Sequence, residues 1–203
     1  MSFMQNIQNP EGLKLFGSIT SPYVRRLRML MQNIEHEFVL VDIFNSRDRT
    51  AIQAENPTLK IPMIMDADQV VLDSGNIYRY LTKKHSLPEL TVDEENVLTS
   101  IDAVNDALVQ LLILSRSEID VSADKLYFRI QRERRDVVFA HLEVEAENGR
   151  FEQWNYLSIC LFCLLDWVNF RNLHDFSDYL TLTKLYDSWN QLAICHETDP
   201  RVE

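Results

Sequence analysis

Glycine and proline are scarce: the 203-residue chain holds 4 and 6 of them. So little glycine excludes a Gly-rich phosphate loop, and so few breakers leave no room for long flexible linkers. A helix-rich protein is expected. Cysteine is sparse as well. Cys160, Cys163 and Cys195 are an odd, scattered set, which argues against a disulfide framework and for a reducing compartment. Long apolar runs are missing. Leu111–Leu114 and Ile159–Leu165 are far too short to cross a bilayer, and the polar start, Met1–Gly12, lacks the apolar core of a signal peptide. The cytoplasm is the expected location, with no membrane partner. Positive charge is in deficit: 20 Lys and Arg stand against 31 Asp and Glu, a formal net charge of -11. Such a field repels nucleic acid. Two basic clusters, Arg25-Arg26 with Arg28, and Arg129, Arg132, Arg134 and Arg135, read as solvated helix faces.

What is present is ordinary globular material. Hydrophobic residues make up 46% and charged residues 25%, enough for a real core without staples. Leu13–Phe16 reads as a strand. Ser21-Pro22 then reads as a helix start, with Ser as N-cap and Pro at the first helical position. Val24, Leu27, Met31 and Ile34 follow at helical spacing. Glu37–Phe44 reads as a second strand, and 45–56 as irregular or weakly helical. Ile61–Met65 and Val70–Leu72, separated by Asp66-Ala67-Asp68-Gln69, form a hairpin pattern whose turn lacks Gly. Asp73-Ser74 caps a helix carrying Ile77, Tyr80 and Leu81.

His85–Thr91 contains Pro88, breaks both periods and reads as a linker. Beyond it the pattern is wholly helical: Asp93–Ser115, Ala123–Glu147, a nearly all-apolar Ser158–Phe170 that should be a buried central helix, and Thr181–Cys195. The expected fold class is therefore an α/β first domain (βαβ-ββα) over residues 13–84, followed by an all-α domain over 92–203.

Several chemical signals carry little. Cys160-x-x-Cys163 has redox-like spacing but lies inside an apolar run, where two core thiols are expected. The five histidines are scattered and no pair has zinc spacing, so no metal is expected. On the residues alone Ser21 is a helix cap, Pro62 a trans proline opening a strand, Asp73-Ser74 a capping pair and Lys60 a solvated loop lysine.

Three motifs in this order change that reading: Ser21-Pro22-Tyr23-Val24-Arg25-Arg26, Asn56-Pro57-Thr58-Leu59-Lys60-Ile61-Pro62, and Asp73-Ser74. With the helical half behind them, they resemble the glutathione S-transferase family, in its bacterial serine-type form. Leu165-Asp166-Trp167-Val168-Asn169-Phe170-Arg171 extends the resemblance. It implies a thioredoxin-like first domain and glutathione as co-substrate. It also implies a catalytic Ser21 acting on the glutathione thiol, with Ser18 and Thr20 as neighbouring hydroxyls able to replace it. Glutathione would be held by Lys60, by Ile61 and a cis Pro62, and by Asp73 and Ser74. A small electrophile, a detoxification role and a homodimer are implied as well. The alternative is a non-catalytic regulatory protein of the same fold, similar to stringent starvation protein. One departure stands out: Ser158 fits the family's cap of the central helix, but Leu161 stands where an Asp would complete the capping box.

Overall fold

The computed structural model describes residues 12–202; of the leader Met1–Gly12, only Gly12 is among them. The chain divides into two compact units. One runs to Glu89 and includes the residues from Ala193 on; the other is Leu90–Leu192.

In the first unit, β1 (Leu13–Gly17) is followed by α1 (Pro22–Leu30), β2 (Glu37–Leu40), α2 (Ser46–Gln53), β3 (Met63–Asp66), β4 (Gln69–Leu72) and α3 (Ser74–His85). The sheet order is β2-β1-β3-β4, with β2 parallel to β1, and β3 and β4 antiparallel to their neighbours. This is the thioredoxin-like βαβ-ββα pattern expected from the sequence. The pleat sorts the core. Leu13 and Leu15 of β1 face one way, against Leu27 and Met31 of the α1 region and Ile77 and Leu81 of α3. Phe16 faces the other way, with Val39, Met63 and Ile52 of α2. Helices therefore cover both faces of the sheet.

Two local outcomes differ from the sequence reading. Residues 46–53 form a regular helix because Asn45 caps them, its side chain accepting from Arg47 N–H at 2.9 Å. Arg25 and Arg26 do not lie on a solvated face. Both are buried, with Arg26 stacked 4.8 Å over the Tyr23 ring. The hairpin turn manages without glycine because Ala67 itself takes a left-handed φ of 49°, a conformation that costs a non-Gly residue about 1–2 kcal/mol.

The second unit holds α4 (Val92–Arg116), α5 (Leu126–Glu147), α6 (Tyr156–Arg171) and α7 (Leu180–Trp189). Helix α4 is long and apolar enough to span a membrane. It packs instead on α5 and α6, burying Leu98, Ile101, Val104 and Leu108, so it is a core helix of this bundle. Helix α5 differs: Leu126, Ile130, Val137 and Val144 are exposed, and their spacing places them on one face. Helix α6 is buried nearly all round, Cys160 and Cys163 included. Its cap is Asn155, three residues ahead of the expected Ser158. The Asn155 side chain accepts from Ser158 N–H at 3.1 Å, and the Ser158 hydroxyl donates to the Gln153 carbonyl at 2.6 Å.

The last helix, α8 (Ala193–Glu197), belongs with the first unit, whereas the sequence grouped residues 193–203 with the helical domain. Its reason is Arg25, whose guanidinium donates to the Cys195 carbonyl at 2.8 Å.

Candidate functional site

Strand register brings the expected site residues together. Phe16 of β1 pairs with Met63 of β3, and Met63 pairs with Leu72 of β4. The chain leaving β1 toward Ser21, the chain entering β3 through Ile61-Pro62, and the chain leaving β4 into Asp73-Ser74 therefore meet at one end of the sheet. With neighbouring strands about 4.8 Å apart, the three segments span roughly 10 Å.

Gly17 sets the approach of α1. A Cβ there would lie 2.4 Å from a methyl of Val24, so only glycine lets the helix start press onto the strand end. Ser21 is the N-cap of α1, with extended backbone and Pro22 at the first helical position. Its hydroxyl oxygen accepts from Val24 N–H at 3.3 Å. A hydroxyl has one proton and two lone pairs; here the proton has no acceptor among the described residues. Ser18 and Thr20 instead engage each other, hydroxyl to hydroxyl at 3.2 Å, and the Ser18 oxygen also accepts from Thr20 N–H at 3.3 Å. Ser18 and Thr20 thus share one hydroxyl bond between them, whereas the Ser21 hydroxyl sits at the helix start itself.

The loop before β3 is organised by Asn56, the residue that opens the second motif. It is fully buried. Its amide donates to the Lys60 carbonyl at 2.6 Å, and its oxygen accepts from Thr58 N–H and Thr58 Oγ1 at 3.0 and 2.6 Å. Leu59 takes a left-handed φ of 54° inside this turn, and the Ile61–Pro62 bond is cis. The Lys60 side chain is exposed and Ile61 half-buried. No hydrogen bond from the described residues reaches the Ile61 N–H or C=O, so this main chain is open to an extended ligand.

Asp73 caps α3 from a φ of 74°, its carboxylate accepting from Gly75 and Asn76 N–H at 2.9 and 3.4 Å. A non-Gly residue held there stores on the order of 1–3 kcal/mol of strain, a mark of sites more often than of plain turns. Ser74 follows, buried, as the first helical residue. Two helix N-termini, α1 and α3, thus open on one end of the sheet. The partial positive charge at each of these helix starts suits an elongated anionic ligand.

Residues 15–89 match the family profile described as glutathione S-transferase, N-terminal domain. This first unit is therefore similar to the N-terminal domain of that family. The chain as a whole has the glutathione S-transferase fold. A solved glutathione S-transferase from Methylobacillus flagellatus KT, with glutathione bound, superposes with a TM-score of 0.82 at 23% identity, covering 93% of this chain and 100% of its own. A family member from Pseudomonas fluorescens Pf-5, bound to S-(propanoic acid)-glutathione, gives 0.77 at 23%, covering 93% and 100%. One from Methylobacterium radiotolerans JCM 2831, in complex with glutathione sulfonate, gives 0.76 at 18%, covering 93% and 94%. No curated protein matches the sequence significantly.

A second polar grouping in the first unit has a different character. An open groove of about 670 Å³, lined by Asp66, Asp68, Gln69, Tyr80 and Lys84, sits at the β3–β4 turn, the opposite end of β3 from Pro62. Asp66 accepts from Tyr80 Oη at 2.6 Å and from Lys84 Nζ. Burial alone would raise the Asp66 carboxyl, but the hydrogen bonds from Lys84 and Tyr80 outweigh it and hold the group below its usual value. The Tyr80 phenol is pushed up to about 12 by the same bond. This cluster ties α3 to the hairpin and is satisfied internally. Among the described residues, no three His, Cys, Asp or Glu are placed to hold a metal.

Proposed function

We propose that the protein binds glutathione at the sheet end formed by Ser21, Lys60, Ile61-Pro62 and Asp73-Ser74, and ionises its thiol for attack on a small electrophile. The observation that carries this reading is the Ser21 hydroxyl, held at a helix start with its proton uncommitted. The proton donates to the sulfur of the thiolate. The Ile61 N–H and C=O pair with the cysteinyl main chain. Ser74 and the α3 N-terminus receive the γ-glutamyl carboxylate, Asp73 the α-ammonium, and Lys60 the glycyl carboxylate.

The magnitudes are adequate. A free thiol titrates near 8.5, and lowering it by about two units requires roughly 2.7 kcal/mol. A hydrogen bond to a charged group contributes about 1.5–3 kcal/mol, and a helix end about 0.3–1. The thiolate sulfur then forms a bond to an electrophilic carbon. A leaving group departs with its electron pair or, in an addition, a proton goes to the neighbouring atom. Such chemistry fits a reducing cytoplasm.

Calorimetry and thermal denaturation with millimolar glutathione test the reading, because a ligand of the native state raises apparent stability. Heat and an upward shift in Tm are expected; the absence of both would overturn the reading. Binding without turnover of a model aryl halide points to the non-catalytic alternative.

The same reading extends to a homodimer. The resemblance implies it, and the exposed row Leu126, Ile130, Val137 and Val144 on α5 is a self-complementary surface for a two-fold pair. Light scattering at micromolar concentration is expected to give twice the chain mass; 23.8 kDa would reject it.

A further inference from the structure

Arg25 is 4% exposed, an unusual place for a guanidinium, since removing a charge from water costs several kcal/mol unless it is well partnered. Its guanidinium makes directed bonds to the far end of the chain. Nε donates to Thr198 Oγ1 at 3.2 Å, and Nη2 to the Cys195 carbonyl at 2.8 Å. Thr198 is itself buried, and its hydroxyl donates to the Ile194 carbonyl at 2.7 Å. Its proton is thereby committed, and a lone pair is left for Arg25.

The other end of Arg25 reaches Ser21. Its backbone N–H donates to the Ser21 carbonyl at 3.0 Å, closing the first turn of α1. The side-chain cap of that turn, Val24 N–H to Ser21 Oγ, is 3.3 Å, beyond the usual range for a good N–H···O contact. A weakly bonded first turn frays, whereas a group that stabilises a thiolate must be held within about 0.5 Å of its working position. The cap alone does not meet that demand; a buried anchor one turn further along does.

We propose that Arg25, clasped by Thr198 and the Cys195 carbonyl, is a positioning residue for the Ser21 hydroxyl: the C-terminal segment sets how well this protein ionises a bound thiol. The proposal rests on the glutathione reading above.

The test compares Thr198→Val, which keeps the shape and removes the oxygen, with Thr198→Ser, which keeps it. Each is measured as the full chain by three readouts: amide exchange at Val24 and Arg25 without ligand, glutathione affinity by calorimetry, and thiol ionisation in the binary complex by ultraviolet titration. In Thr198→Val, exchange should accelerate, affinity should stay within about twofold, and the thiol's apparent pKa should rise by about half to one unit, a roughly 3–10-fold loss of thiolate at fixed pH below it. Thr198→Ser should match the parent in all three. Accelerated exchange with an unmoved thiol pKa would overturn the proposal, as would equal behaviour of the Val and Ser variants. Should Thr198→Val fail to fold, Arg25→Lys, which keeps the charge and loses the fork, is judged by the same outcomes. A parent protein that binds no glutathione overturns the functional reading itself, and shows this before any variant is made.

Discussion

Helix α1 and helix α6 both begin on a polar side chain that accepts a backbone N–H three residues on. At α1, Ser21 is half-exposed, its accepted bond is 3.3 Å, and its proton has no acceptor among the described residues. At α6, Asn155 accepts at 3.1 Å, while the nearby Ser158 hydroxyl is buried and donates to Gln153 at 2.6 Å. At the second start the hydroxyl's proton is committed and the serine is buried. The first retains a donor at the protein surface. The difference separates a cap that only holds a helix from one whose hydroxyl remains available to a ligand.

Ser21→Ala should show the largest effect and should sharpen this contrast. Turnover with a model electrophile is expected to fall roughly 10–100-fold, the equivalent of about 1.5–3 kcal/mol of lost hydrogen bonding to charge. Glutathione affinity should change little, and stability by only about 1 kcal/mol, the usual cost of a lost cap. Unchanged turnover would move the role to Ser18, Thr20 or the main chain. Ser158→Ala should do the reverse. It leaves the Gln153 carbonyl without its donor and should cost about 1–3 kcal/mol of stability, read as a lower urea midpoint, with turnover per folded molecule preserved. A large loss of turnover there would erase the contrast between the two starts.

Asp66→Asn is the smallest of the three and tests a polar group that lies beyond both helix starts. The parent's Asp66 has a lowered pKa through Lys84 and Tyr80. The folded state therefore favours the carboxylate. Its contribution is fully present above the ordinary carboxylate value near 4 and is lost as pH falls through the lower folded value. The Lys84 side chain is 42% exposed, so screening limits the contribution to about 1 kcal/mol or less. Denaturation at pH 7 and pH 3 should show a parent advantage over the variant at pH 7 that shrinks in acid. An advantage of unchanged size at pH 3 would remove the charge from the explanation.

Legibility along the chain followed the range of the interactions. Ser21-Pro22 was readable as a helix start because capping is local, and so was the Asp73-Ser74 start. The hairpin around Ala67 was readable from its flanking apolar runs even without a glycine. Asn45 as a cap was missed because the polar stretch behind it has little apolar periodicity. Arg25 was misplaced for a related reason. Charge beside Arg26 and Arg28 resembles a solvated face, and only the return of the chain at Cys195 and Thr198 buries it. Asn56 stood in plain view ahead of Pro57, yet its task depends on where the Lys60 carbonyl points.

The sequence by itself determined the order of elements, the apolar positions that fill the first unit's core, and the residue types at each turn, because periodicity and capping act over a few residues. The tertiary structure alone decided which turns share an end of the sheet. Phe16 opposite Met63, and Met63 opposite Leu72, draw Ser21, Ile61 and Asp73 to one end of the sheet, and the clasp of Arg25 by Thr198 joins residues at opposite ends of the chain. Such pairings are long-range. They depend on closing loops and matching registers across the whole fold, and no window of neighbouring residues contains that information.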